Sequence, residues 1–215
     1  MNTPYRNAAL LQLQSLLPGL AKATDQVHFS AGQALESAWA DAHHIVLPEQ
    51  GVLVLQQALG VRHVDVGLLG PANGLVVPAE THTPWQMRAL CDGWAHVLKL
   101  PASSLSACGD LLLQWQVKLM QQVALWGYCR QHHPLPQRLA TLLAVLRHDA
   151  TQWDWQAWTG LLNVNASVLQ AGLQALERVG AVDCQAQGVT IVLPEVLERQ
   201  SCSCLDWLKP LATTV

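Results

Sequence analysis

Residues 161–193 read LLNVNASVLQAGLQALERVGAVDCQAQGVTIVL, and the order of signals in this stretch decides the fold of the C-terminal part. The end of one apolar helix is followed by a short polar turn at 163–165. Asn165 is a good N-cap because its side chain accepts a hydrogen bond from a backbone N–H in the first turn of the next helix. The pattern therefore predicts a second helix over 166–179.

The elements on either side of this turn complete the motif. Two further helices are predicted before it, over 137–147 and 154–162, from their helical spacing of apolar residues. Gly180 ends the helix that follows the turn, and two short strands are predicted after it, over 181–184 and 189–193. The order helix, helix, turn, helix and β-hairpin indicates a winged helix-turn-helix.

Residues 103–131 carry the longest helical pattern in the sequence. Apolar residues recur every seven positions from Leu105, and again three positions after each of these except at Gln122, which is the a/d pattern of a coiled-coil seam over about four heptads. Two interpretations stay open. The helix packs on the core of its own domain, or it forms a seam with a second copy of the chain, which its length and its additional apolar positions favour. The predicted dimer seam consists of Leu105, Cys108, Leu112, Trp115, Leu119, Gln122, Trp126 and Cys129.

Residues 27–77 consist of short apolar runs separated by Gly, Pro and Asn. This pattern predicts an antiparallel β-roll, preceded by a helix over 7–20 and completed by a last strand at 97–100. A hinge is predicted at 132–136, where two prolines interrupt the helical pattern. The fold class is therefore α+β. We expect three parts: a β-roll sensor domain with an N-terminal helix (1–102), a dimerisation helix with the hinge (103–133) and a winged helix-turn-helix domain (134–215).

The composition of the 215-residue chain is that of a folded protein, with 51% hydrophobic and 13% charged residues. No apolar run approaches the ~20 residues that span a bilayer, and no signal peptide is seen, so we expect a cytoplasmic protein without a membrane partner. The six cysteines are expected as free thiols. The net charge of −3 argues against a surface built wholly for nucleic acid.

Five segments, in this order, carry a resemblance to a known family. They read FSAGQ at 29–33, LPEQGV at 47–52, VGLLG at 66–70, RLATLL at 138–143 and LERQSCSC at 197–204. The chain resembles the CRP/FNR regulators, relatives of the cyclic-AMP receptor protein and the fumarate-nitrate regulator, and its end resembles a branch with a C-terminal Cys-x-Cys tail. The resemblance implies a cyclic-nucleotide-binding-like roll, a dimerising helix and a winged helix on double-stranded DNA. It implies a ligand-responsive transcription regulator that acts as a homodimer and is not an enzyme.

A cyclic-nucleotide pocket needs backbone donors for the phosphate, a Glu for the ribose and an Arg for the phosphate charge. The corresponding segment offers Gly70, Gly74, Glu80 and Arg88, with Arg88 predicted in a short helix. Neither Glu80 nor Arg88 lies in the cassette of such a pocket, so a degenerate pocket is predicted and cyclic AMP is not expected. An iron–sulfur cluster is not expected either, because the first cysteine is Cys91. The cofactor is unknown, and an unidentified small-molecule effector near these residues stays open.

The helix over 166–179 is the DNA-reading helix that the resemblance implies. Ala166 and Ala171 stand where basic residues usually read the major groove in that family. Across 147–199, three arginines accompany six acidic residues, a net charge of 3 − 6 = −3, although Lys and Arg supply much of the affinity for DNA. The alternative is therefore a family member that has lost DNA binding and serves as a sensor or protein-interaction module. The predicted DNA contacts are Asn163, Asn165, Ser167, Gln170, Gln174 and Arg178.

The tail contains a Cys-x-Cys pair, Cys202 and Cys204, which is a plausible half-site for a soft metal ion. No Cys and His pair in the sequence has zinc-finger spacing. No bound metal is therefore predicted, and these two cysteines remain the candidates for one.

Overall fold

The computed structural model describes residues 8–17, 24–35, 43–71, 73–77, 85–146, 155–185 and 188–212. The elements up to residue 100 are α1 (Ala8–Leu16), β1 (Thr24–Phe29), β2 (His43–Gln50), β3 (Leu53–Leu59), β4 (Arg62–Leu69), β5 (Leu75–Val77), β6 (Trp85–Ala89) and β7 (Gly93–Leu100). The elements that follow are α2 (Ala102–His132), α3 (Leu135–Leu146), α4 (Trp155–Leu162), α5 (Ala166–Arg178), β8 (Val182–Gln185), β9 (Gly188–Ile191), α6 (Pro194–Gln200) and α7 (Leu205–Ala212). None of the described helices is long and apolar enough to span a bilayer.

Strands β1 to β7 form two antiparallel sheets, ordered β1-β7-β2-β5 and β4-β3-β6. Alternate side chains of their strands point inward and form one buried cluster that includes Phe29, Leu55 and Met87. Gly51, between β2 and β3, has φ +81°, and a Cβ there would lie 2.6 Å from the carbonyl oxygen of Asp92, so only glycine fits this turn. The predicted α+β class, with an antiparallel roll before the long helix, is confirmed.

Helix α2 is 31 residues long and connects two cores. Trp115, in its first half, packs in a cluster with α1, β2 and β7. Trp126 and Cys129, near its end, belong to a second cluster that holds most of the buried residues of α3 to α7. A helix in this position must bury one whole face inside its own chain.

The residues predicted to form the dimer seam supply that face. Leu105 and Leu119 are half-buried against the chain's own clusters, and the other members of the predicted seam are buried, from Leu112 at 8% exposure to Cys129 at 0%. The predicted contact between copies is therefore corrected: these residues form the face of α2 that packs inside its own chain. The physical reason is that a/d periodicity reports an apolar stripe on a helix and is the same whether a sheet, other helices or a second copy covers it.

Helix α4 packs on strand β4 of the roll, and the β8–β9 hairpin belongs to the same buried cluster as the C-terminal helices. Their core cluster also contains Val52, Val54 and Leu68 from the strands of the β4-β3-β6 sheet and the turn before β3. Asp65 of β4 is buried at this contact, where its Oδ1 accepts a 2.6 Å hydrogen bond from Gln56 Nε2. The roll and the winged unit (α4 to α7 with the β8–β9 hairpin) therefore share one buried cluster.

Two local predictions are wrong. Arg88 lies in strand β6, opposite Val54, and not in a short helix. The reason is that buried and more exposed residues alternate along β6, the period of a strand. Helix α3 begins at Leu135, two residues before the predicted start at 137, because Pro136 fits the first helical turn, where no N–H is needed. The predicted helix ends at 7, 20, 147 and 154 lie outside the described residues.

Candidate nucleic-acid interface

The turn between α4 and α5 is fixed by two asparagines. Asn163 has a left-handed backbone with φ 53°, a conformation that asparagine tolerates better than most residues. Asn165 is the N-cap of α5, and its Oδ1 accepts hydrogen bonds from the backbone N–H of Val168 at 2.9 Å and from the hydroxyl of Ser167 at 2.7 Å. The cap predicted from the sequence is present. Since the side-chain oxygen of Asn165 is occupied by the cap, Asn165 positions the helix start.

Helix α5 has one buried face and one exposed polar face. Leu169, Leu173 and Leu176 are buried, and Gly172 allows close packing because a Cβ there would lie 3.2 Å from Leu135 Cδ2. The predicted DNA contacts all lie outside this buried face: Asn163, Asn165, Ser167, Gln170, Gln174 and Arg178 are exposed. Polar residues on this face therefore stand one helical turn apart, as a helix in the major groove requires.

The β8–β9 hairpin lies beside α5 in the position of a wing. A groove of about 550 Å³ separates the two and is lined by Gln170, Gln174, Glu177, Cys184 and Gln185, among others. Glu177 Oε1 accepts a 3.1 Å hydrogen bond from the backbone N–H of Cys184, which ties the hairpin to the helix. Burial, followed by the carboxylates of Glu177 and Asp183, raises the pKa of the Cys184 thiol to about 11, so the thiol is protonated at neutral pH.

The charges of the winged unit are few and mostly negative. Residues 155–212 contain three cations and five acidic residues, a net charge of 3 − 5 = −2. Lys209 Nζ is 2.8 Å from Glu198 Oε1, which forms an ion pair away from α5. Arg178, at the end of α5, donates from its Nε to the carbonyl oxygen of Gln174 at 3.3 Å. The polar face of α5 therefore presents amides, a hydroxyl and the carboxylate of Glu177, with one guanidinium at its end.

The residues predicted for an effector pocket do not converge on one site. Gly70 lines a cavity of about 20 Å³ between β4 and α2, which has room for one water, whereas small-molecule pockets measure roughly 300–1,000 Å³. Gly74 packs against α2, since a Cβ there would lie 2.6 Å from the ring of Trp115. Arg88 lies in β6, whereas Gly74 directly precedes β5, and these two strands belong to different sheets. Glu80 lies outside the described residues.

The exposed side of α2 carries an apolar stripe that was not predicted from the sequence. Leu113 is 63% exposed, Val117 46%, Met120 70% and Tyr128 53%, and Ala124 is exposed between the last two. These residues are spaced four or three positions apart and so lie along one side of the helix. The spacing of four, three, four and four residues between these apolar side chains is the signal in the sequence that would have revealed the stripe.

The two tail cysteines lie in the short turn between α6 and α7, where both are buried. The structure brings a third cysteine to them, Cys129 from the last turns of α2, with all three Sγ atoms within 4.8 Å of one another. The sequence contained no signal for this neighbour, since 73 residues separate Cys129 from Cys202.

An antiparallel roll, a long connecting helix and a C-terminal winged helix-turn-helix together define the fold of the CRP/FNR transcription regulators, and the chain has that fold. No family model matches the sequence, and no curated protein matches it. Solved structures do match. A transcriptional regulator of the CRP family from Thermus thermophilus is 15% identical with a TM-score of 0.62, the match covering 81% of this chain and 96% of that one.

Two further structures extend the comparison. FixK2 from Bradyrhizobium japonicum is 15% identical with a TM-score of 0.58, and the match covers 84% of this chain and 98% of that one. The c-di-GMP-responsive global regulator CLP of Xanthomonas campestris is 11% identical with a TM-score of 0.54, over 86% of this chain and 99% of that one. These likenesses establish the architecture from the roll to the winged helix.

Proposed function

We propose that the protein is a DNA-binding transcription regulator of the CRP/FNR type that acts as a homodimer and not as an enzyme. The observation that carries the proposal is the exposed polar face of α5, which stands beside a β-hairpin on a capped helix-turn-helix. A helix presented in this way enters the major groove, and the hairpin contacts the adjacent backbone. Gln170 and Gln174 have the side-chain amides that bond adenine in a bidentate manner.

The apolar stripe on α2 supports the dimer. Leu113, Val117, Met120, Ala124 and Tyr128 line the side of the helix that is not packed on the chain's own core. Pairing α2 with its copy along this stripe buries these side chains and places the two α5 helices in one assembly. Each dimer then reads two half-sites about one DNA turn apart, roughly 34 Å.

The few cations of the winged unit define the kind of binding expected. The logarithm of the binding constant falls linearly with the logarithm of the salt concentration. Each phosphate that a cation neutralises adds about −0.9 to that slope. A surface that presents amides in place of arginines therefore binds more weakly and with a shallow salt dependence. Specificity then depends on base contacts by Gln170 and Gln174 more than on charge.

The experiment is selection of bound duplexes from a random-sequence library at low salt, followed by fluorescence anisotropy on the enriched duplex. We expect enrichment of an A·T-containing inverted repeat and a clear loss of affinity in the double variant Gln170→Ala with Gln174→Ala. The matched control is Gln114→Ala with Gln121→Ala, two exposed glutamines of α2 outside the winged unit. Failure to enrich any duplex, or equal binding by the two variants, contradicts the proposal.

The second candidate function is a sensor or protein-interaction module without DNA binding. The net charge of −2 over 155–212 and the carboxylate of Glu177 in the groove beside α5 favour it. The same selection separates the two functions, because this candidate predicts no enriched duplex and an unchanged dimer.

We also propose that the roll lacks a working cyclic-nucleotide pocket. The 20 Å³ cavity beside Gly70 and the position of Arg88 within β6 support this. Calorimetric titration with cyclic AMP tests it. No heat of binding is expected, and a stoichiometric complex would contradict it.

A further inference from the structure

Three cysteine thiols meet where the end of α2 contacts the α6–α7 turn. Cys129 Sγ lies 3.5 Å from Cys202 Sγ, and Cys204 Sγ completes a triangle with all sides within 4.8 Å. Cys129 is 0% exposed, Cys202 6% and Cys204 3%. The sulfurs come from two segments far apart in the chain, so their convergence is a product of the fold.

The cluster is held from a third element, α3. Thr141 Oγ1 donates to the carbonyl oxygen of Gln137 at 2.8 Å and accepts from the backbone N–H of Cys202 at 3.0 Å. It also lies 3.1 Å from Cys202 Sγ. Since its only proton is used on Gln137, the hydroxyl can only accept from the Cys202 thiol. The Cys202 side chain is therefore held in place from both its backbone and its sulfur.

The surroundings of the cluster are apolar and lack a balancing charge. Burial first, and then the neighbouring thiols, raise the pKa of Cys129, and burial followed by Cys202 raises the pKa of Cys204 to about 11. None of the groups that shift these two pKa values is a cation, and in the described part of the chain no histidine or carboxylate joins the three sulfurs. The site therefore offers three neutral thiols and no fourth strong ligand.

These features select among the ions that thiols bind. Three sulfurs at metal–sulfur distances of about 2.3 Å lie at most ~4 Å apart, close to the present spacing. Structural zinc sites take four ligands, and zinc on three thiolates would leave one uncompensated negative charge in the core. Burying an unpaired charge is costly, whereas a trivalent ion on three thiolates is neutral. Charge and ligand number together favour a three-coordinate, trivalent, thiophilic ion.

We propose that Cys129, Cys202 and Cys204 form a three-thiolate binding site for a trivalent thiophilic ion, of which arsenite is the probe. Neutral arsenous acid, As(OH)₃, forms three As–S bonds while its three As–O bonds break. Each hydroxyl leaves as water with the proton of one thiol, and arsenic keeps its oxidation state. No net proton is released, whereas a bare dication binds thiolates only by displacing their protons. Ser203, exposed between the two tail cysteines, places the cluster one residue from the surface for entry.

An occupied site would cross-link the end of α2 to the turn that follows α6. Cys129 lies before the short connection at 133–134 between α2 and α3, and the two tail cysteines lie after it. The bound ion would therefore join the parts of the chain on either side of that connection. The proposal concerns ion binding alone and stands whether or not the protein binds DNA.

The test is titration of the reduced full-length protein with sodium arsenite in the absence of oxygen, followed by native mass spectrometry. We expect one arsenic per chain, with a mass gain of one arsenic less three hydrogens. The variants Cys129→Ser, Cys202→Ser and Cys204→Ser should each weaken binding by at least about tenfold, the lower loss seen even for outer-shell partners of metal ligands. Cys184→Ser, on the winged hairpin, is the matched control and should bind as the unaltered protein does.

A second measurement needs no variant. Arsenite bound to the folded protein should slow the alkylation of Cys129, Cys202 and Cys204 and leave the alkylation rates of the other cysteines unchanged, as read by peptide mass spectrometry. Protection of a different set, or unchanged binding by Cys202→Ser, would overturn the proposal. Formation of a stoichiometric zinc complex that excludes arsenite would overturn the choice of a trivalent ion.

Discussion

The side-chain carbonyl of Gln122 in α2 accepts a 3.1 Å hydrogen bond from the backbone N–H of Leu68 in β4. Both residues are 2% exposed, so the bond is made inside the chain. Gly67 beside it allows the close approach, since a Cβ there would lie 3.2 Å from Val123 Cγ2. Gln122, the polar residue of the predicted seam, therefore joins the long helix to the roll by a buried hydrogen bond.

Gln122→Ala should destabilise the protein by about 1–3 kcal/mol, because the buried N–H of Leu68 is left without its acceptor. The measurement is the free energy of unfolding in urea. Gln121→Ala, the exposed neighbour, is the matched control and should change stability by less than about 0.5 kcal/mol. Equal effects of the two substitutions would show that the Gln122 bond contributes nothing.

Leu113→Glu with Met120→Glu should convert the dimer to monomer, because two carboxylates are placed on the exposed apolar stripe of α2. Gln114→Glu with Gln121→Glu adds the same charge one residue along the helix and should leave the dimer intact. Light scattering measures the mass of each. A monomeric unaltered protein, or a dimer that survives the first pair, would contradict the stripe as the interface.

Leu112→Glu with Leu119→Glu should act differently from the stripe variant. Leu112 is 8% exposed and packed in the chain's own core, so charging it should lower the thermal unfolding midpoint rather than split a stable dimer. Circular dichroism against temperature distinguishes the two. Normal stability combined with a monomeric mass would restore the predicted seam as a contact between copies.

Ala171→Arg should raise the affinity for DNA and steepen its salt dependence, because it adds a cation to the exposed face of α5. The expected increase in slope is about 0.9 for each phosphate newly contacted. Ala107→Arg, exposed near the start of α2, adds the same charge away from the winged unit and is the control. An unchanged affinity in Ala171→Arg would argue that α5 does not face the duplex.

Stability should decrease at alkaline pH. Burial raises the pKa of Cys91 from 9.0 to about 11, so the folded chain keeps a proton that the unfolded chain loses in that interval. The contribution is therefore fully present below pH 9 and is lost as the pH rises toward about 11. Urea unfolding between about pH 8 and about pH 10.5 measures it, with Cys91→Ala as the variant that should flatten part of the slope. A slope unaffected by that substitution would contradict the burial of a neutral thiol.

The elements that the sequence predicts well are those set by local chemistry. Asn165 caps α5 because its side chain reaches the backbone three residues ahead, a relationship that the sequence displays directly. The heptad pattern assigns Gln122 to a contact between copies, whereas the structure pairs it with Leu68 of the same chain, 54 residues away. The helical period of apolar residues shows that one face of α2 is buried. It does not show whether the chain's own core or a second copy buries that face. Cys129 was assigned to that seam for the same reason, and its meeting with the tail cysteines depends on the packing of α3, α6 and α7.

The footprint on an enriched duplex tests the central claim, that a dimer reads DNA through α5, most directly. Hydroxyl-radical cleavage should show two symmetric protected regions about one helical turn apart, and both should disappear together in Leu113→Glu with Met120→Glu. The control pair Gln114→Glu with Gln121→Glu should preserve both regions. Absence of protection at low salt, or a single protected region that survives in the monomeric variant, would contradict the account.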